Sequence, residues 1–179
     1  MPFLIAGMVF VGLLCAVDLL LTMAVIRRLR EHTEQFAALQ NGDPAQSLLR
    51  EGTPLPAFDA ESVDGETVNS QAAPPEVLAL LSTECVVCLE EMPRFLRFLG
   101  DRGVDRSAAV VVIMGGDTPK AEKLVEGLRP VAQVVRQPWG GPIEKAFQAR
   151  LFPNFYLASD GVVRVTSISV ANLDRPVPA

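Results

Sequence analysis

Ser82-Thr83-Glu84-Cys85-Val86-Val87-Cys88-Leu89-Glu90-Glu91-Met92-Pro93 is the stretch on which the reading of this chain turns. Just before it stands Val77-Leu78-Ala79-Leu80-Leu81, a continuous apolar run of the length of a buried strand. Beyond it Met92, Phe95, Leu96 and Leu99 recur at helical spacing, which predicts that Cys85 sits where a strand hands over to a helix. Unpaired backbone N–H groups and the macrodipole at a helix N-terminus stabilise a thiolate, so Cys85 is expected to be exposed and reactive. Cys88 falls one turn inside, near enough to close a small disulfide ring with it. Dithiol–disulfide exchange is the chemistry implied. The same spacing occurs in zinc sites, but zinc usually takes four ligands. The other candidates are Cys15, within an apolar segment, and the single histidine, His32, just beyond it. Neither a metal nor a cofactor is expected, and a buried, inert cysteine pair is the plainer alternative.

Composition narrows the rest. A chain of 179 residues accommodates one ordinary domain and a shorter appendage. With 21% charged residues and a net charge of -5, nothing favours nucleic acid as a partner. Asp18 is the only charged side chain before Arg27, and all 16 lysines and arginines follow it. The mildly acidic remainder is not suited to adhering electrostatically to anionic lipid. Three cysteines do not make a disulfide scaffold.

The segment 3–26 is apolar apart from Gly7, Gly12, Asp18 and Thr22. As a helix it would be about 36 Å long, enough to cross a hydrocarbon core of about 30 Å with some tilt. It lacks the basic start and short apolar core of a cleaved signal peptide, so an uncleaved single transmembrane anchor is expected. A carboxylate near the middle of such a helix is costly, by about 2.5–3.5 kcal/mol on insertion scales, which the surrounding Leu, Val, Ile and Phe residues can offset. Cys15, Asp18 and Thr22, spaced i, i+3, i+7, share one face and form a candidate docking stripe for a polytopic membrane partner that donates or accepts electrons. A protonated Asp18 lying toward one interface explains the same residues without a partner.

Residues 27–51 are mixed and polar and read as a juxtamembrane helix and linker, ended by Asn41-Gly42 and Pro44. A domain over 52–179 is expected to follow. Asp64-Gly65 between short alternating runs signals a hairpin. Ala108 to Met114 is a β-branched run suited to a strand covered on both faces. Thr118-Pro119 starts a helix of about residues 119–128. Val131 to Val135 reads as a strand, Ile143 to Ala149 as a short helix, and Phe155-Tyr156-Leu157 with Val162 to Val165 as a second hairpin. The fold class is therefore α/β, a mixed sheet with helices on both faces. Ser167 to Ala179 is short and contains Pro176 and Pro178, so the last face of the sheet is expected to be thinly covered or covered by a partner.

Over about residues 52–168 the chain resembles the membrane-anchored TlpA/ResA/MauD-type thiol–disulfide oxidoreductases, which have a thioredoxin-like fold. The resemblance rests on Gly52-x-x-Leu55-Pro56-x-Phe58, the Asp64-Gly65 hairpin, Cys85-x-x-Cys88-x-x-Glu91-x-Pro93, and Pro153 with Gly161 eight residues on. It implies Cys85 as attacking thiolate and Cys88 as resolving thiol. It also implies Glu91 as a carboxylate that tunes proton transfer near the pair, and Pro153, preceded by Phe152, as the cis-proline facing the sulfurs. Glu84, Val86 and Val87 would flank the substrate. Glu84 departs from the pattern, standing where that family usually has Trp.

The resemblance implies protein disulfides as substrates, in the manner of cytochrome or enzyme maturation. Glu84 opposes thiolate formation as a neighbouring negative charge, which points to a reducing rather than strongly oxidising protein. The side of the membrane is contested. Arg27, Arg28 and Arg30 directly after the span favour a cytoplasmic domain, whereas the resemblance and the redox chemistry favour the outer side, which is the expectation adopted. The rival from another class is a membrane-anchored binding module with a thioredoxin fold and no redox turnover.

Overall fold

The computed structural model describes residues 48–174, together with Gly12. Apart from Gly12, the expected anchor 3–26, most of the linker, and with them Cys15, Asp18, Thr22 and His32 lie outside the described residues. No helix among the described residues is long and apolar enough to cross a membrane.

Two short strands, β1 (Asp59–Glu61) and β2 (Thr67–Asn69), pair antiparallel around the turn that carries Gly65 at φ 78°. The chain then enters β3 (Val77–Ser82), α1 (Val86–Arg102), β4 (Ala109–Met114), α2 (Pro119–Leu128), β5 (Gln133–Gln137), α3 (Pro142–Phe147), β6 (Asn154–Ser159) and β7 (Val162–Ser167). The main sheet has the order β5-β4-β3-β6-β7. β3, β4 and β5 run parallel, while β6 and β7 are antiparallel additions. β3 is central, and all six of its residues are buried, as are all six of β4. That explains their unbroken apolar composition, because a strand covered on both faces has no solvent side to make polar.

Alternation along β3 divides the core. Val77, Ala79 and Leu81 join Phe95, Leu99, Leu124 and Leu128 from α1 and α2 on one face. Leu78 and Leu80 join Phe58, Val68, Ile143 and Phe147 on the other. Helices therefore cover both faces, as expected. Thr118 caps α2 by accepting the Ala121 N–H, with Pro119 in the first turn. The strand expected from Val131 begins two residues later, because pairing with Val110 and its successors sets the start of β5 at Gln133. The short helix expected over 143–149 spans Pro142–Phe147.

Both ends of the described stretch contribute to the core. Packing starts before residue 52, since Leu48 and Leu49 lie against the core on the α3 face. At the other end the cover of the sheet is supplied by a short segment. Val170 and Leu173, in and beside a 3-10 turn (Val170–Asn172), are buried against α1. Two apolar residues on a one-turn element do the covering that a full helix would otherwise supply.

Candidate active site

The turn Thr83-Glu84 joins β3 to α1, with the Cys85 N–H donating back to the Ser82 carbonyl (3.2 Å) and the Thr83 N–H to the Met114 carbonyl (3.0 Å). Gly115 makes room for this turn. It adopts φ 125°, and a Cβ there would lie 2.1 Å from Thr83 Oγ1. Cys85 is the N-cap of α1, in extended conformation, and its Sγ accepts the backbone N–H of Cys88 at 3.1 Å. A cysteine sulfur thus occupies the place usually held by a Ser, Thr or Asp oxygen.

The environments of the two sulfurs diverge. Cys85 is half-buried and Cys88 fully buried, and both are free thiols. Cys85 is brought down to about 7 from 9.0, chiefly because the Cys88 side chain donates a hydrogen bond to its sulfur. Partial burial works against this shift, the backbone N–H groups of Cys88 and Val87 add to it, and the charge of Glu90 opposes it. Cys88 is pushed up, first as donor to Cys85 and then by burial. One thiol is acidified and the other kept protonated.

Phe152 and Pro153 come to this pair from the far side of the sequence. The Phe152–Pro153 peptide is cis, and Cys85 Sγ donates to the Phe152 carbonyl at 3.3 Å across 67 positions. Pro153 is buried and leads into β6, whose Asn154 pairs with Leu80 of β3. Glu84, Val86 and Val87 are all exposed around Cys85, with Val86 60% exposed. The opposing charge expected of Glu84 comes instead from Glu90, five residues beyond Cys85.

Glu91 is buried, and its carboxylate is taken up by the C-terminal segment. It accepts the Val170 N–H at 2.7 Å and the Ser169 hydroxyl at 3.1 Å, and pairs with Arg94 at 2.9 Å. These contacts give it a fastening role that the sequence did not suggest.

Trp139 was missed. Its ring meets Phe152 edge-on at 5.7 Å between centroids, which brings the chain's single tryptophan to the neighbourhood of Cys85. A signal was present in Pro138-Trp139-Gly140-Gly141-Pro142, a turn at the end of a strand parallel to the one that delivers Cys85.

No family model matches the chain, and no curated protein matches it. Solved structures do. The thioredoxin domain of a thiol-disulfide oxidoreductase from Bacteroides vulgatus is 16% identical, with a TM-score of 0.56 over 70% of this chain and 93% of that one. The fold is thioredoxin-like. A thiol:disulfide interchange protein of the thioredoxin family from Chlorobium tepidum is 18% identical, with a TM-score of 0.53 over 70% of this chain and 94% of that one. A secreted disulfide oxidoreductase from Mycobacterium tuberculosis is 16% identical, with a TM-score of 0.51 over 63% and 83%.

Proposed function

We propose that this thioredoxin-like chain is a thiol–disulfide oxidoreductase acting on protein disulfides. The observation that carries the reading is the acidified Cys85 at the head of α1, three residues from a buried, protonated Cys88. The Cys85 thiolate attacks one sulfur of a substrate disulfide, forming a mixed disulfide and releasing the other substrate sulfur as a thiolate that takes up a proton. Cys88 gives up its proton and attacks Cys85 Sγ, closing the Cys85–Cys88 disulfide and releasing the second substrate thiol. Two electrons pass to the substrate, and an external dithiol must return them.

A Cys85 near 7 belongs with reducing thioredoxins rather than with oxidants whose cysteine titrates near ~3.5, and this supports the reducing direction. A potential near about -120 mV, typical of a strong oxidant, would reverse that direction. The TlpA/ResA/MauD likeness, a single membrane anchor over 3–26 and an outward-facing domain complete the proposal. In it Cys15, Asp18 and Thr22 dock the electron partner within the bilayer. Membrane-impermeant maleimide labelling of Cys85 in intact cells tests the sidedness. Disulfide reduction of insulin by the full chain with a dithiol donor tests the activity. Turnover is expected to vanish in Cys85→Ser, whereas Cys88→Ser should accumulate mixed disulfides. Equal rates in wild type and Cys85→Ser would leave only a binding module.

A further inference from the structure

Five large apolar side chains are exposed among the described residues: Val63, Val86, Val87, Trp139 and Ile168. Scattered singly, such residues need no explanation. Four of these five gather at one end of the sheet. Val86 and Val87 open α1 beside Cys85. Trp139 follows β5, whose last residue pairs with the last of β4, and Ile168 follows Ser167, which pairs with Phe155, two residues after Pro153.

Trp139 is the largest of them and remains 43% exposed. Its place is fixed. The Gly141 N–H donates to the Pro138 carbonyl at 3.2 Å, and the Gly140 N–H to Glu144 Oε2 at 2.7 Å. Behind the loop, a Cβ on Gly141 would lie 2.6 Å from the Gln137 amide carbon. The indole rests on Phe152, whose carbonyl in turn lies 3.3 Å from Cys85 Sγ. An aromatic side chain on a braced loop, set against a second ring, offers contact area at little cost in side-chain ordering.

We propose that Trp139 is a specificity-determining residue: with Phe152 and Val86 it forms an apolar shelf that takes a large aliphatic or aromatic side chain adjacent to the substrate's disulfide cysteine. This rests on the disulfide-exchange reading above. Charge only narrows the choice: Glu84 and Glu90 are exposed near the head of α1 and disfavour an acidic neighbour, while the exposed apolar faces of Trp139 and Val86 favour an apolar one. An apolar side chain next to a cysteine is open to such a shelf when the substrate segment is extended, so incompletely folded polypeptides are the class of substrate selected.

The test uses the full chain kept reduced by a dithiol donor, with the uncatalysed rate subtracted, and three disulfides: hydroxyethyl disulfide, a short peptide disulfide with Leu on both sides of each cysteine, and the same peptide with Ser in those places. Wild type is expected to reduce all three and to favour the Leu peptide over the Ser peptide about tenfold in kcat/KM, mainly through KM. In Trp139→Ala the ratio should fall to about one, and in Trp139→Phe most of it should return. Reading each variant as a ratio cancels any general loss of activity, and the wild-type ratio needs no variant. Equal treatment of the two peptides by wild type, or an undiminished ratio in Trp139→Ala, overturns the assignment while leaving disulfide exchange standing. Failure of wild type on hydroxyethyl disulfide as well removes the exchange reading and this assignment with it.

Discussion

Where β4 and β5 begin, Asp64 and Glu66 of the first hairpin meet Arg106 and Arg129, and Arg106 reaches both acids while Gln133 also donates to Glu66. Where β3, β4 and β5 end, the first turn of α1 instead shows solvent two valines and a half-buried thiol, with a tryptophan nearby. At the first end, charges are consumed in fastening the hairpin to the sheet, helped by the Val63 N–H donating to the Val134 carbonyl. At the second, no side-chain cation figures among the causes that acidify Cys85, and the shift comes from hydrogen bonds donated to its sulfur. Partly exposed ion pairs each contribute little, so several together are used to fasten the hairpin. A nucleophile is served better by short-range donors fixed to a helix end, which salt does not screen away.

This difference can be broken at either end. The largest effect is expected from Gly115→Ala. The new methyl would meet the Thr83 side chain at a φ that side chains rarely adopt, costing about 3 kcal/mol in thermal or denaturant unfolding and displacing the turn that presents Cys85. Next comes Glu91→Ala, which orphans the buried Val170 N–H and frees the C-terminal segment from α1, at about 2 kcal/mol. Glu91→Gln keeps an acceptor for that N–H and should lose less in the same unfolding measurement.

A smaller change sharpens the thiol end without unfolding it. Cys88→Ala removes the largest cause lowering Cys85, so its titration, followed by thiolate absorbance, should move upward from about 7 toward the ordinary 9.0. The thiolate fraction at pH 7 then drops from about one half to about one tenth or less. The smallest effect belongs to the opposite end. Asp64 and Glu66 are both held below the ordinary carboxylate range, Asp64 chiefly by its bond from Arg129 and Glu66 by its bond from Gln133. For a depressed carboxyl, the stabilisation is present above its unfolded value and fades as pH falls through the folded one. Asp64→Asn should therefore lower the melting temperature slightly at pH 7, and the difference from wild type should shrink in acid. Disulfide reduction should not change.

Much of this arrangement was legible in the residues. The unbroken run 77–81, the helical recurrence of Phe95 and Leu99, and Cys85 between them locate the N-cap thiol, because these signals are local. Thr118-Pro119 and Asp64-Gly65 were local in the same sense. What escaped was long-range. Trp139 reaches the site through Phe152 and a strand pairing, and Glu91 turns toward Ser169 and Val170, 78 and 79 positions away. Glu90, five residues on from Cys85, is the carboxylate that opposes the thiolate, although Glu84 is the neighbour along the chain. The start of β5 moved for a related reason, since register with β4 outweighs local apolarity.

The most direct test is the pH dependence of iodoacetamide alkylation of the reduced, folded full chain, with peptide mapping by mass spectrometry to separate Cys85 from Cys88 and Cys15. Cys85 should react first, with a midpoint near 7, while Cys88 stays unmodified until the chain unfolds. A midpoint near the ordinary 9.0, or a Cys85 that does not react at all in the folded chain, would contradict the account.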